Sequence, residues 1–313
     1  MWRAPFERSV EAAIAGGVDY LLQLQDRDGF WREFDLPPGA SESWTTAWVG
    51  WCLTGALAGH DRRGARVRDA CARAAATVYR ARREGGWGYN RTTGPDADTT
   101  SWVLRFLKGA GFRLEPAAYL APYIDAGGGV HTFREPNFGT WTDAHDDVAA
   151  NAGLALLATP ASLSLAERVR RRLGRGFSVD TFWWSTSTYG VAWTLRFLHA
   201  SGGVPADIAR HGQEWIASLP ESSSSFEVAH RMMAASATGA CGTVSLVTQL
   251  LDLHETDGWP GSSFLLVPDR ETGHASEANL ELRGLLTTAL CVRLLTEWVV
   301  SPAAARGAAI SAS

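Results

Sequence analysis

The sequence predicts an all-α fold: an (α/α)6 barrel of six helical hairpins, with an apolar inner ring and an amphipathic outer ring. Three observations carry this. An apolar helical segment alternates with an Ala/Arg-rich amphipathic one, and six such units can be read along the chain. Gly/Trp/Ser-rich loops separate the segments, and alternating β-branched runs are scarce. Closing the six units into a ring removes the end repeats that an open solenoid would have to cap, and it predicts a central cavity.

The apolar segments are SWTTAWVGWCLTGAL (43–57), DTTSWVLRFL (98–107), DDVAANAGLALL (146–157), STYGVAWTLRFL (187–198), FEVAHRMMAAS (226–236) and LLTTALCVRLL (285–295). Their partners include VRDACARAAATVYRARR (67–83) and LAERVRRRLGR (165–175), whose arginines mark a solvent-facing side. The loops QDRDGFW (25–31), EGGWGYN (84–90) and DGWPGSSF (257–264) are expected to plug hairpins with an aromatic ring. One barrel domain is expected over 5–300. The tail 301–313 lacks large apolar residues and is expected to be disordered.

Composition narrows the function. With 313 residues the chain can bury a sizeable core. A net charge of -4 and a pI near 6.1 argue against a nucleic-acid partner. Cys52, Cys71, Cys241 and Cys291 form no CxxC pair and sit in apolar helical text, which fits reduced thiols. No uninterrupted apolar stretch reaches the roughly 18 residues of a membrane span, so a soluble, cytoplasmic protein is expected. The 14 tryptophans exceed both the 6 tyrosines and the 12 phenylalanines, so the fold has a use for indole rings.

The stretch PDADTTSW (95–102) admits three readings. An aspartate after a proline can cap a helix, but one side chain suffices for a cap, and a second acid two residues on points elsewhere. Two acids with hydroxyls nearby can hold Mg²⁺, but the additional carboxylates of a dedicated site are missing locally. The third reading is an acid at the lip of an apolar cavity. Asp98 and Trp102, at i and i+4, would face inward together. Holding the proton near pH 7 takes a rise of about 3 pKa units, on the order of 4 kcal/mol, which desolvation and the neighbouring Asp96 both favour.

This stretch resembles the Asp-x-Asp-Asp/Thr-Thr signature of class II terpene cyclases, the squalene-hopene cyclase superfamily, in which the middle aspartate protonates an alkene. DDVAANAGLALL is similar to the family segment whose His or Asn bonds the acid, and Asn151 falls at that place. FWWSTSTYGVAWTL is similar to its Trp-rich turn followed by Tyr-Gly, and the Gly-Trp loops resemble its QW repeats, Gln25 to Trp31 being the nearest. The similarity spans about residues 5–300. Two departures stand out: Thr99 occupies the third acidic position, and the chain has no room for the second barrel that many members carry, so it looks like a single-domain cyclase of meroterpenoids.

The resemblance implies cyclisation of a linear polyprenyl or prenylated aromatic substrate. Asp98 would be the acid, Asp96, Thr99 and Asn151 its support, and Trp44, Trp102, Trp183 and Tyr189 the aromatic lining. No cofactor is implied, and Mg²⁺ only for a diphosphate substrate. Transient membrane contact is compatible with such a substrate, and the oligomeric state is left open. Trp51, Trp193 and Trp298 read as core. Scattered His145 and His274 carry no pattern, whereas His230 and Glu227 could receive a final proton. Arg168, Arg170, Arg171, Arg172 and Arg175 could grip a diphosphate but read better as a solvated face. The rivals are a silent barrel used as a binding scaffold and a prenyltransferase-like protein.

Overall fold

The computed structural model describes residues 3–55, 62–177, 179, 181–240, 242–275 and 278–300. The tail and Cys241 lie outside the described residues. The helices are α1 (Arg3–Gln23), α2 (Ser43–Gly55), α3 (Arg62–Arg80), α4 (Ala97–Gly109), α5 (Pro116–Leu120), α6 (Asp146–Ala155), α7 (Pro160–Arg175), α8 (Ser187–Ala200), α9 (Ala206–Ser218), α10 (Ser225–Thr238), α11 (Thr243–Asp252) and α12 (Leu285–Val300). The even-numbered helices are the apolar segments of the sequence. Each packs on the next, α2 on α4, α6, α8, α10 and α12 in turn, and α12 returns to α2, closing the ring.

The odd-numbered helices form the outer layer. In α3 the buried residues Val67, Ala70, Cys71, Ala74, Ala75 and Val78 recur at helical spacing, with arginines on the other side. The third outer position departs from expectation: α5 is five residues long and continues as a single 3-10 turn, Ala121–Tyr123. Pro122 lacks an N–H and clashes with the preceding turn, so this hairpin cannot carry a full outer helix.

Connections from an inner helix to the following outer one are short between α4 and α5, α6 and α7, α8 and α9, and α10 and α11, whereas those returning to the inner N-termini are mostly long. The long loops therefore gather at the end where all six inner helices begin, and they include the two-residue hairpins Asp35–Leu36 with Gly39–Ala40 and Leu265–Leu266 with Ala278–Asn279.

Three Gly-Trp loops share one construction. The indoles of Trp31, Trp87 and Trp259 donate to the carbonyls of Leu21, Val78 and Leu250, near the ends of α1, α3 and α11, at 2.7, 2.8 and 2.7 Å. Their backbones are clasped by the hydroxyls of Thr46, Thr100 and Thr288, each in the first turn of the next inner helix. Gly86 and Gly258 precede two of these tryptophans at φ +138° and +143°, and an added Cβ would stand 2.5 and 2.8 Å from the threonine hydroxyls. A glycine is required there for backbone and space alike.

The barrel axis is not hollow throughout. Trp48, Trp102, Trp193, Phe226 and His230 are fully buried and fill part of it with aromatic rings, where the sequence predicts a central cavity.

Candidate active site

Two neighbouring aspartates have separate tasks. Asp96 is the N-cap of α4, its Oδ1 accepting from the Thr99 N–H at 2.7 Å. Burial, with the nearby Asp98 charge, pushes its carboxyl up to about 7. Asp98 lies two residues on and faces inward. Its Oδ2 accepts from Trp44 Nε1 at 2.7 Å, and its Oδ1 accepts from Asn151 Nδ2 at 2.7 Å. Desolvation raises the Asp98 pKa, opposed by these two bonds and by the charge of Arg105. Trp44, Asn151 and Arg105 are buried, whereas Asp98 keeps a partly exposed face. Thr99 is buried and contributes its backbone N–H to the cap, while Thr100 clasps Trp87.

Behind Asn151 lies Arg105, two turns after Asp98 on α4. Arg105 Nη1 donates to Asn151 Oδ1 at 2.7 Å. Its guanidinium sits over the rings of Trp102, Trp51 and Trp193 at 4.2, 4.4 and 4.8 Å.

Further aromatic rings pack outward from Trp44. Trp44 stacks on Trp48 at 5.5 Å. Trp184 stacks on Tyr189 at 4.4 Å and on Phe226 at 5.1 Å, and lies 6.1 Å from Trp44. Burial and the Asp98 charge hold the Tyr189 hydroxyl well above the ordinary phenol range.

No family model matches the sequence, and no curated protein matches it. Solved structures do. Type II terpene cyclase MstE from Scytonema superposes with TM-score 0.81 at 23% identity, over 94% of this chain and 98% of that one. A variant of the same enzyme, in complex with geranylgeranyl dihydroxybenzoate as substrate, superposes with TM-score 0.79 at 23% identity, over 95% and 99%. A protein from Actinoplanes gives TM-score 0.75 at 22% identity, over 91% and 98%. The chain has the fold of a type II terpene cyclase.

Within this cyclase fold the residues singled out from sequence divide. Asp98, Asn151 and Trp44 form one hydrogen-bonded group, with Trp44 acting through its N–H as well as its ring. Tyr189 lies beside them through Trp184. Trp102 has no exposed surface, Arg105 covers one face, and its Nε1 has no partner among the described residues. Trp183 sits on the rim, partly exposed, donating to Thr132 Oγ1 at 3.1 Å against Trp141. Its neighbour Trp184 is the one that reaches the Asp98 group, because successive residues of an extended segment point to opposite sides.

Sequence reasoning missed Trp184, Trp48 and Arg105. The spacing of seven between Asp98 and Arg105, which puts both on one face of α4, was the available signal. Trp51, Trp193 and Trp298 are core, as expected. Glu227 is taken by Thr186, Ser222 and Arg231. His230 Nδ1 lies 2.8 Å from the Phe226 carbonyl and so carries the hydrogen, leaving Nε2 without a partner among the described residues. Burial lowers its pKa to about 3, so the ring is neutral. His145 stacks on Phe182 and is lowered to about 4 by burial, and His274 is exposed. Arg168, Arg171, Arg172 and Arg175 line a cavity of about 280 Å³ on the outer ring with Gly127 and Asp146, while Arg170 pairs with Glu167. Among the described residues no three His, Cys, Asp or Glu side chains are grouped to hold a metal, and no helix is long and apolar enough to cross a membrane.

Proposed function

We propose that this chain is a protonation-initiated terpene or meroterpenoid cyclase with Asp98 as general acid. One observation carries the reading: a partly exposed carboxyl among indole rings, with each oxygen held by a buried donor and its pKa raised by burial. Desolvation favours the protonated form of Asp98. The Trp44 and Asn151 donors favour the carboxylate that appears once the proton leaves, so they act where charge develops.

In the proposed step the Asp98 proton is delivered to a carbon of a terminal trisubstituted alkene. The π bond becomes a C–H bond, and a tertiary cation is left. Neighbouring double bonds attack in turn and close rings. Loss of a proton yields an isomer of the substrate, and addition of water yields its hydrate. Aromatic faces such as those of Trp184 and Tyr189 stabilise the moving cation without bonding to it, each by about 0.5–2 kcal/mol. Trp183 on the rim would meet the polar end of the substrate. A polyprenyl chain on a dihydroxybenzoate head, as bound by MstE, is the first substrate to try.

The scaffold reading needs Asp98 to be a cap, and the capping bond belongs to Asp96. The test incubates wild type and Asp98→Asn with farnesyl and geranylgeranyl diphosphates and with prenylated hydroxybenzoates. Isomeric or hydrated products should form, and Asp98→Asn should lower turnover by about 10²- to 10⁴-fold with an unchanged melting temperature. Equal turnover by the variant, or release of diphosphate without proton gain, would overturn the assignment.

A further inference from the structure

Arg105 is a cation in the wrong place by ordinary rules. It lies near the floor of the barrel, 7% exposed, and among the described residues no carboxylate comes within ion-pair distance of it. Burial lowers its pKa, and the neighbouring Arg196 charge adds to that. The carboxylate below, Glu297, is shared by Arg196 and Arg293. A guanidinium held at such a cost is compensated by three indole faces and by one neutral acceptor, Asn151 Oδ1.

That acceptor is the informative contact. An amide can present either its oxygen or its NH₂ to a neighbour, and a guanidinium can only donate. Arg105 therefore holds the oxygen of Asn151 on its own side and turns Nδ2 towards Asp98. The Asp98 backbone carbonyl also accepts from Nδ2, at 3.2 Å, and favours the same orientation; with the amide reversed, Asn151 would present an acceptor to that carbonyl and to the carboxylate, and both oxygen-to-oxygen contacts would be repulsive.

Resting on the acid role of Asp98, we propose that Arg105 is a positioning residue: it sets the Asn151 amide so that its NH₂ serves Asp98, and it lends positive charge through that amide to the carboxylate left by proton transfer. Other charged and titratable groups face the chain of contacts from each side: Asp96 on α4, Cys52 on α2, Asp147 on α6, Tyr189 and Arg196 on α8, and Arg293 and Glu297 on α12. None of them holds the amide oxygen.

The experiment is a double-mutant cycle of Arg105→Met and Asn151→Ala, with Arg105→Lys as the conservative variant and melting curves as the folding control. Arg105→Met should lower kcat by about 10- to 100-fold with little change in KM. The alkaline limb of its rate profile should move to higher pH, because the carboxylate has lost support. Arg105→Lys should recover part of both. In the Asn151→Ala background the same Arg105→Met change should have little further effect on kcat. An equal fall in both backgrounds, or a folded Arg105→Met with the wild-type profile, would overturn the inference. Carbon-13 titration of the Asp98 carboxyl reads the coupling without turnover: the upward shift on Arg105→Met should be larger with Asn151 present than in the Asn151→Ala background. Absence of cyclised product from wild type would refute the cyclase reading alone, and an equal titration shift in both backgrounds would refute the positioning role alone.

Discussion

At the scale of residues, less than one helical turn separates two carboxylates that composition treats as alike. Asp96 accepts from a backbone N–H of its own turn, and Asp98 accepts from side chains of two other helices. Their substitutions should move the pH profile in opposite directions. In the proposed role Asp98 acts protonated, so the rate is lost as pH rises through its pKa. Trp44→Phe keeps a ring but removes a donor that favours the carboxylate, so the alkaline limb should move up while kcat falls by about 100-fold. Asp96→Asn keeps a capping oxygen and removes a negative charge that disfavours a second one beside it. Its limb should move down, with kcat at the optimum nearly unchanged. Rate profiles of the two variants check both signs, and limbs moving the same way would contradict this division of labour.

At the scale of elements, the recurring construction is a tryptophan that ties an outer helix to the inner helix after it. The Thr-Thr pairs that open α2, α4 and α12 are explained by it: the second threonine of each clasps the backbone of Trp31, Trp87 or Trp259. In α4 that threonine sits two residues after Asp98, so part of a stretch that reads as catalytic is scaffold. Thr100→Val preserves shape and leaves the buried N–H and carbonyl of Trp87 without a side-chain partner. It should cost about 1–3 kcal/mol, read from denaturant unfolding. A cost near zero would show that the clasp contributes little. The short α5 marks where the pattern fails, since Pro122 and the glycines after it leave no room for a further helical turn.

At the scale of the whole molecule, six inner helices begin at one end, and the long loops that return to them gather there. The acid opens towards that end, while the opposite end holds Arg105, Arg196 and Arg293 around Trp51. Between them the axis is filled by stacked rings. A polyprenyl chain that reaches Asp98 must displace or insert among those rings, beginning with Trp44, which bonds the carboxyl. Binding of a geranylgeranyl dihydroxybenzoate to Asp98→Asn, which should hold it without turnover, is expected to change tryptophan emission in a saturable way. Saturable binding with emission unchanged would place the substrate outside the column.

Much of this was legible in the sequence. The apolar segments predicted the starts of all six inner helices to within one residue, because an all-round apolar helix has no choice but burial. The aspartate motif was legible because a carboxylate in apolar text needs a reason, Asn151 through the family resemblance, and Trp44 as an indole at the start of an inner helix. Sequence alone determined the closed all-α ring, the helix that carries the acid, and the abundance of indole. Only the tertiary structure decided which aspartate caps and which bonds to Trp44 and Asn151, that Trp184 and not Trp183 packs beside Trp44, that Trp102 is wholly buried, and that Arg105 bonds the Asn151 amide. Such assignments depend on which atoms of distant segments meet within hydrogen-bonding distance. Periodicity specifies a face of a helix, but not the partner that the face will find.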